Sequence, residues 1–196
     1  KIGLRLLTTG RELLDLENNK YTSNQKPLII ANPSFDSDSS ATSSTSNESQ
    51  RRSGDLLSKY WEPLSGTAKE GRAIEQITNG KLLTKERATT IAVEEANAPK
   101  IFHIASHAFY LPSGDDQIEN PLLRSGIVLA GANKPDRNEL DDGYLTALEV
   151  TRLNLKGTEM VVISGCSSGK GDIISGEGIY GLKRAIAVAG ARSSLL

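Results

Sequence analysis

The sequence predicts an α/β fold, a sheet with helices packed on its faces. Short apolar runs of strand length alternate with stretches of helical period, and capping pairs and glycines punctuate the alternation. At about 150 residues per domain, the 196 residues make one domain with room for a long insertion.

The first strand is read at Pro27 to Ala31, where Leu28, Ile29 and Ile30 form a buried run behind an opening proline that a strand tolerates. From Asp36 to Ser53 eight of eighteen residues are serine and almost none is apolar. Such a stretch cannot bury enough surface to order itself, so 36–54 is expected to be a disordered insertion. A solvated loop is the plainer account of it than a phosphorylation or cleavage site near Arg51 and Arg52.

Order is expected to resume at Trp61. Thr67 and Glu70 match a capping box, Ala73, Ile74 and Ile77 form an apolar stripe, and Asn79 and Gly80 end that helix. Leu82 and Leu83 mark a brief strand, Ala88 to Ala96 a second helix, and Ile101 to Ala105 another strand. Ser106 to Asn120, with Pro112, Gly114, Asp115 and Asp116, reads as a loop leaving that strand's carboxyl end. Ser125 to Ala130 is a strand and Lys134 to Gly143 a polar excursion. Thr146 and Glu149 form a second capping pair, opening a helix that Gly157 helps to end. Thr158 to Ser164 reads as a buried strand, Gly165 to Gly178 as a glycine-rich loop, and Ile179 to Ala189 as a helix stopped by Gly190.

Composition excludes several classes. Lys and Arg number 23 against 24 Asp and Glu, so no net positive field would draw nucleic acid or anionic lipid. No window approaches the ~20 apolar residues of a membrane span, and the start does not resemble a signal peptide. One cysteine, Cys166, rules out an internal disulfide and suits a reducing compartment, so an intracellular, cytoplasmic location is expected. Lys1 and the barely begun strand at Arg192 to Leu196 are read as marks of a piece of a longer protein.

Two groups of catalytic type lie just past strand ends: His107 after Ala105, and Cys166 after Ser164. The carboxyl ends of parallel strands leave a crevice for ligands, and a thiol with an imidazole is the minimum set for acyl transfer. A backbone NH near Cys166 could help hold an oxyanion. On residue types alone, a small buried cysteine is the commoner account. His103 stands four residues before His107, the spacing of zinc-binding helices, but four strand residues cover about 13 Å. His103 is therefore read as a core histidine with a satisfied ring nitrogen, and no metal site is expected. Gly176, Gly178 and Gly181 match G-x-G-x-x-G without its strand-turn-helix context or following acidic residue, so they are read as packing glycines.

Six segments taken together resemble the CHAT domain family, a caspase-like group often joined to tetratricopeptide repeats. They are LTTGRELLD (Leu7 to Asp15), PLSGTAKE (Pro63 to Glu70), FHIASHAF (Phe102 to Phe109), NPLLRSGIVLAG (Asn120 to Gly131), DGYLTALEV (Asp142 to Val150) and TEMVVISGCSSGKGDIISGEGIYGLKRAIAVAGA (Thr158 to Ala191). The resemblance implies a caspase-haemoglobinase-like sheet with helices on both faces, incomplete at both ends, in a single CHAT domain fragment over 1–196. It further implies a His-Cys dyad of His107 and Cys166, an oxyanion hole from the backbone NH groups of Ala108 and Cys166, and no cofactor.

The function so implied is cysteine endopeptidase action on a protein or peptide substrate, with tetratricopeptide repeats elsewhere in the full-length chain. Three residues depart from the family pattern: Ala108 where glycine is usual, Gly165 where alanine is common, and Ser167 where glutamate is common. Were a positive φ needed at 108, alanine would be strained there. Ser164 stands where relatives that cut after basic residues often carry aspartate, so no Arg or Lys preference follows. The fragment alone is expected to show weak or absent proteolysis. The rival readings are a catalytically silent interaction module of the same fold and a metal-dependent hydrolase.

Overall fold

The computed structural model describes residues 22–36, 59–111, 120–134, 142–165 and 176–196. The central sheet is built from β1 (Leu28–Pro33), β2 (Lys81–Lys85), β3 (Ile101–Ala105), β7 (Met160–Ser164) and β8 (Ser194–Leu195). Its order is β2-β1-β3-β7-β8, and every neighbouring pair is parallel. A second, antiparallel sheet of β4 (Ala108–Tyr110), β5 (Ser125–Val128) and β6 (Tyr144–Thr146) stands beyond the carboxyl end of β3.

Alternation along the central strands assigns their two faces. Ile29, Ala31 and Ala105 share one face, which is covered by Ile74 of α1 (Ser65–Thr78). Leu28, Ile30, Phe102, Ile104, Val161 and Ile163 share the other. Helix α4 (Gly176–Val188) presses Leu182, Ala185 and Ile186 onto that second face, with α2 (Thr90–Glu94) and α3 (Ala147–Val150) beside it. The chain is thus α/β, with a mostly parallel sheet flanked by helices on both faces, consistent with a caspase-like fold.

Several local expectations need correction. Thr67 and Glu70 do not form a capping box: α1 starts after Leu64 with no side-chain cap. Tertiary partners take both side chains instead. The Thr67 hydroxyl donates to the Leu64 carbonyl at 2.7 Å and accepts the Asn32 N–H at 3.0 Å, while Glu70 reaches His103. Ile77 is exposed rather than part of the buried stripe. The stretch after Ser106 is not all loop, because β4 pairs there with β5. Strand β6 follows the polar excursion that ends at Gly143 and reaches the helix-opening Thr146, where no strand was expected. Helix α3 does begin with the Thr146–Glu149 capping box, but it ends at Val150, before Gly157 can act on it. The α2 helix is shorter than read, running only from Thr90 to Glu94 behind a Thr89 cap. In β7, Val161 and Ile163 are buried and Met160 is exposed. Asp36, read as the first residue of the insertion, is held by Asn133 and Tyr60.

Candidate functional site

The strand order reverses direction between β1 and β3, since β2 lies on one side of β1 and β3 on the other. Crevices form at the carboxyl ends of strands at such a switch point. His107 stands there. The chain turns at Ser106 between β3 and β4, and three hydrogen bonds fix the turn. Ser106 N–H donates to the Ser164 carbonyl at 3.2 Å, the Ser106 hydroxyl donates to the Val128 carbonyl, and the His107 carbonyl accepts the Val128 N–H at 2.8 Å.

His107 is 2% exposed. Phe35, just past β1, lies 5.3 Å from it between ring centroids, and Trp61, just before α1, lies 5.2 Å away. His107 Nε2 is 2.8 Å from the Glu62 carbonyl oxygen. A carbonyl can only accept, so Nε2 carries the proton and donates it, which leaves the lone pair of the neutral ring on Nδ1.

The flanking aromatics belong to a small second core of Phe35, Trp61, Phe109, Val128, Ala132 and Tyr144. Trp61 Nε1 donates to the Tyr144 hydroxyl at 2.9 Å, which donates on to the Ala132 carbonyl at 3.3 Å. Lys59 Nζ sits 4.6 Å from the centre of the Trp61 ring. Asn133 accepts the Trp61 N–H at 2.8 Å and donates to the Trp61 carbonyl at 3.0 Å. Phe35, Trp61, the Glu62 carbonyl and Asn133 were not singled out from sequence as site residues. Trp61, the chain's one tryptophan, two residues before a proline, was the only signal available for them.

Ala108 opens β4 opposite Ile127. His107 with Val128 on one side, and Leu111 N–H to the Arg124 carbonyl on the other, mark the hydrogen-bonded pairs of this ladder. Ala108 with Ile127 is therefore a non-hydrogen-bonded pair, and the Ala108 N–H is directed away from β5. Ala108 is not among the positive-φ residues, so glycine is not required there and alanine is unstrained. Gly165 lies beside this segment. A methyl group on Gly165 would come within 2.9 Å of the Ser106 carbonyl oxygen and 3.6 Å of Ala108 N. Cys166 and the rest of 166–175 lie outside the described residues. So does 37–58, which holds most of the serine-rich insertion.

The structure separates the two histidines. His103 shares a face with Ile29, its register partner, and its Nε2 donates to Glu70 Oε1 of α1 at 3.0 Å. It is a buried histidine with a satisfied ring nitrogen, as the strand reading expected. Among the described residues there is no group of three or more His, Cys, Asp and Glu side chains placed to hold a metal. Gly176, Gly178 and Gly181 fall within α4 rather than in a strand-to-helix turn, which is not the geometry of a phosphate loop. Among the described residues no helix is long and apolar enough to cross a membrane.

No curated protein matches the chain. A family model, the CHAT domain, matches residues 1–196, the whole sequence. That match agrees with the mostly parallel sheet and the helices on both its faces. This chain belongs to the CHAT domain family, a caspase-like peptidase group.

Proposed function

We propose that the chain is the catalytic domain of a cysteine endopeptidase that hydrolyses peptide bonds of a protein substrate, with Cys166 as nucleophile and His107 as general base. The observation that carries the reading is the β3–β7 pairing. Ala105 lies opposite Ser164, the ladder runs one bond further through Ser106, and Gly165 packs against Ser106 and Ala108. His107 follows Ser106 and Cys166 follows Gly165, so the two groups are covalently next to residues already in contact.

In this scheme the Cys166 thiol gives its proton to His107 Nδ1 as sulfur bonds to the scissile carbonyl carbon. The backbone N–H groups of Ala108 and Cys166 receive the oxyanion. Collapse breaks the C–N bond, and Nδ1 returns the proton to the leaving amine. Water then attacks the thioester, loses its proton to Nδ1, and the expelled thiolate regains that proton. Every step uses a side chain or backbone group of this chain, so no metal or organic cofactor is called for. Tetratricopeptide repeats in the same full-length chain would supply partner recognition, and a cytoplasmic setting would keep the thiol reduced.

The test is labelling of the full-length protein with a peptide bearing a thiol-directed electrophile. With one cysteine in this segment, modification here has one address. His107→Gln is expected to slow labelling of Cys166 by about 100-fold or more, the usual contribution of a general base. A folded H107Q protein labelled at the wild-type rate refutes the dyad.

A further inference from the structure

We infer that Asn133 is the positioning residue for the His107 imidazole, acting through the Trp61–Glu62 peptide. Its catalytic consequence rests on the peptidase reading above. Residues 36 and 59 flank the stretch 37–58, and the chain on either side of that stretch contributes one ring to His107: Phe35 from the first stem and Trp61 from the second. Asn133 ties both stems. Its backbone N–H donates to the Phe35 carbonyl at 2.9 Å, and its Nδ2 donates to Asp36 Oδ1 at 3.0 Å. The same side chain grips Trp61 at both ends, with Oδ1 accepting the N–H at 2.8 Å and Nδ2 donating to the carbonyl at 3.0 Å.

The chemistry selects an amide. Oδ1 must face a donor while the two Nδ2 protons face two acceptors, so the side chain has one workable orientation and uses both its polar ends. A carboxylate has no proton to donate, and an alkyl group has neither function. Because the peptide unit is planar, holding the Trp61 carbonyl also holds the plane that contains Glu62 N and Cα. Only the two torsions of Glu62, φ and ψ, then separate that plane from the carbonyl that accepts the His107 Nε2 proton at 2.8 Å. When the clasp is lost, the Trp61 ring keeps its bond to Tyr144 and its packing, so the fold is retained. The Glu62 carbonyl, however, is no longer held at the imidazole. The proton then divides between the ring nitrogens, and the fraction of His107 able to accept a proton at Nδ1 falls.

The experiment is ¹⁵N-histidine NMR of the full chain together with the labelling kinetics above. The chain has two histidines, so His103, tied to Glu70, is an internal control. Wild-type His107 is expected to show a protonated Nε2 and an unprotonated Nδ1. In Asn133→Ala both His107 nitrogens are expected to move toward averaged positions while His103 stays in place. The maximal rate of Cys166 labelling is expected to fall roughly tenfold, with the half-saturating concentration unchanged, because misplacing a reacting group costs rate rather than binding.

An N133A protein with wild-type His107 signals, or with an unchanged rate, overturns the inference. Should N133A not fold, Asn133→Asp is judged by the same criteria, since it keeps an acceptor for the Trp61 N–H but loses both donors. Asp36→Ala keeps the Trp61 clasp and is expected to leave the His107 signals in place. An N133A-like shift in D36A would overturn the assignment to the Trp61–Glu62 peptide. H107Q reacting at the wild-type rate would sink the peptidase reading, yet the NMR result would still decide what Asn133 does.

Discussion

Replacing Gly71 by alanine should destabilise the protein, although the same change in an open helix would stabilise it. Gly71 lies in the middle of α1, and a methyl group there would come 2.6 Å from Ala31 Cβ and 3.0 Å from Leu82 Cδ1. Carbon atoms pack best at about 3.5–4.0 Å, so the nearer contact is short by about 1 Å. Ala31 is fully buried in β1 and its methyl has no rotamer to escape into, so α1 itself must lift off the sheet. Overpacking of this kind costs about 1–3 kcal/mol, and alanine's helix propensity returns about 1 kcal/mol, leaving a net loss of up to about 2 kcal/mol.

Gly66 is the control, since it lies in the same helix with nothing within 4 Å of the added methyl. Gly66→Ala should be neutral or stabilising by up to about 1 kcal/mol. Urea unfolding reads both. With m at ~2 kcal/mol/M, the G71A midpoint should fall by up to about 1 M while that of G66A holds or rises. A G71A midpoint at or above that of G66A would show that α1 does not approach β1 as closely as described.

The Thr146 capping box should be worth about 1 kcal/mol, so Thr146→Ala is expected to lower stability by that amount and Thr146→Ser to recover most of it. Equal losses in the two variants, measured by urea unfolding, would argue against the hydroxyl's role. The Asp36 carboxylate, with desolvation adding to it, holds the exposed Tyr60 phenol above its ordinary value of 10.0. Because the folded value is raised, this contact stabilises the protein fully below pH 10 and is lost as pH rises through the folded value. Asp36→Asn should bring Tyr60 ionisation down toward 10.0, read by NMR of labelled tyrosine; an unmoved titration would count against the contact.

Local patterns made much of the fold legible. The runs Leu28–Ile30, Ile101–Ala105 and Val161–Ile163 are apolar enough to be strands wherever they lie, and they became the three neighbouring strands β1, β3 and β7. His103 was readable as a core residue because strand geometry forbids it to share a metal with a residue four places on. His107 could be singled out because it follows a strand end in a fold whose sites gather there.

Pattern alone could not tell two similar capping pairs apart. Thr146 and Glu149 cap a helix, whereas Thr67 and Glu70 are claimed by Asn32 and His103, residues thirty-five and thirty-three positions away. The three-residue strand β4 carries no periodicity of its own and exists because β5 pairs with it. Above all, the atom that orients the His107 ring is the carbonyl of Glu62, forty-five residues distant, and the clasp on Trp61 comes from Asn133, seventy-two residues on. A backbone oxygen looks the same at every position of a sequence, and only the closure of the chain in three dimensions selects which one meets the imidazole.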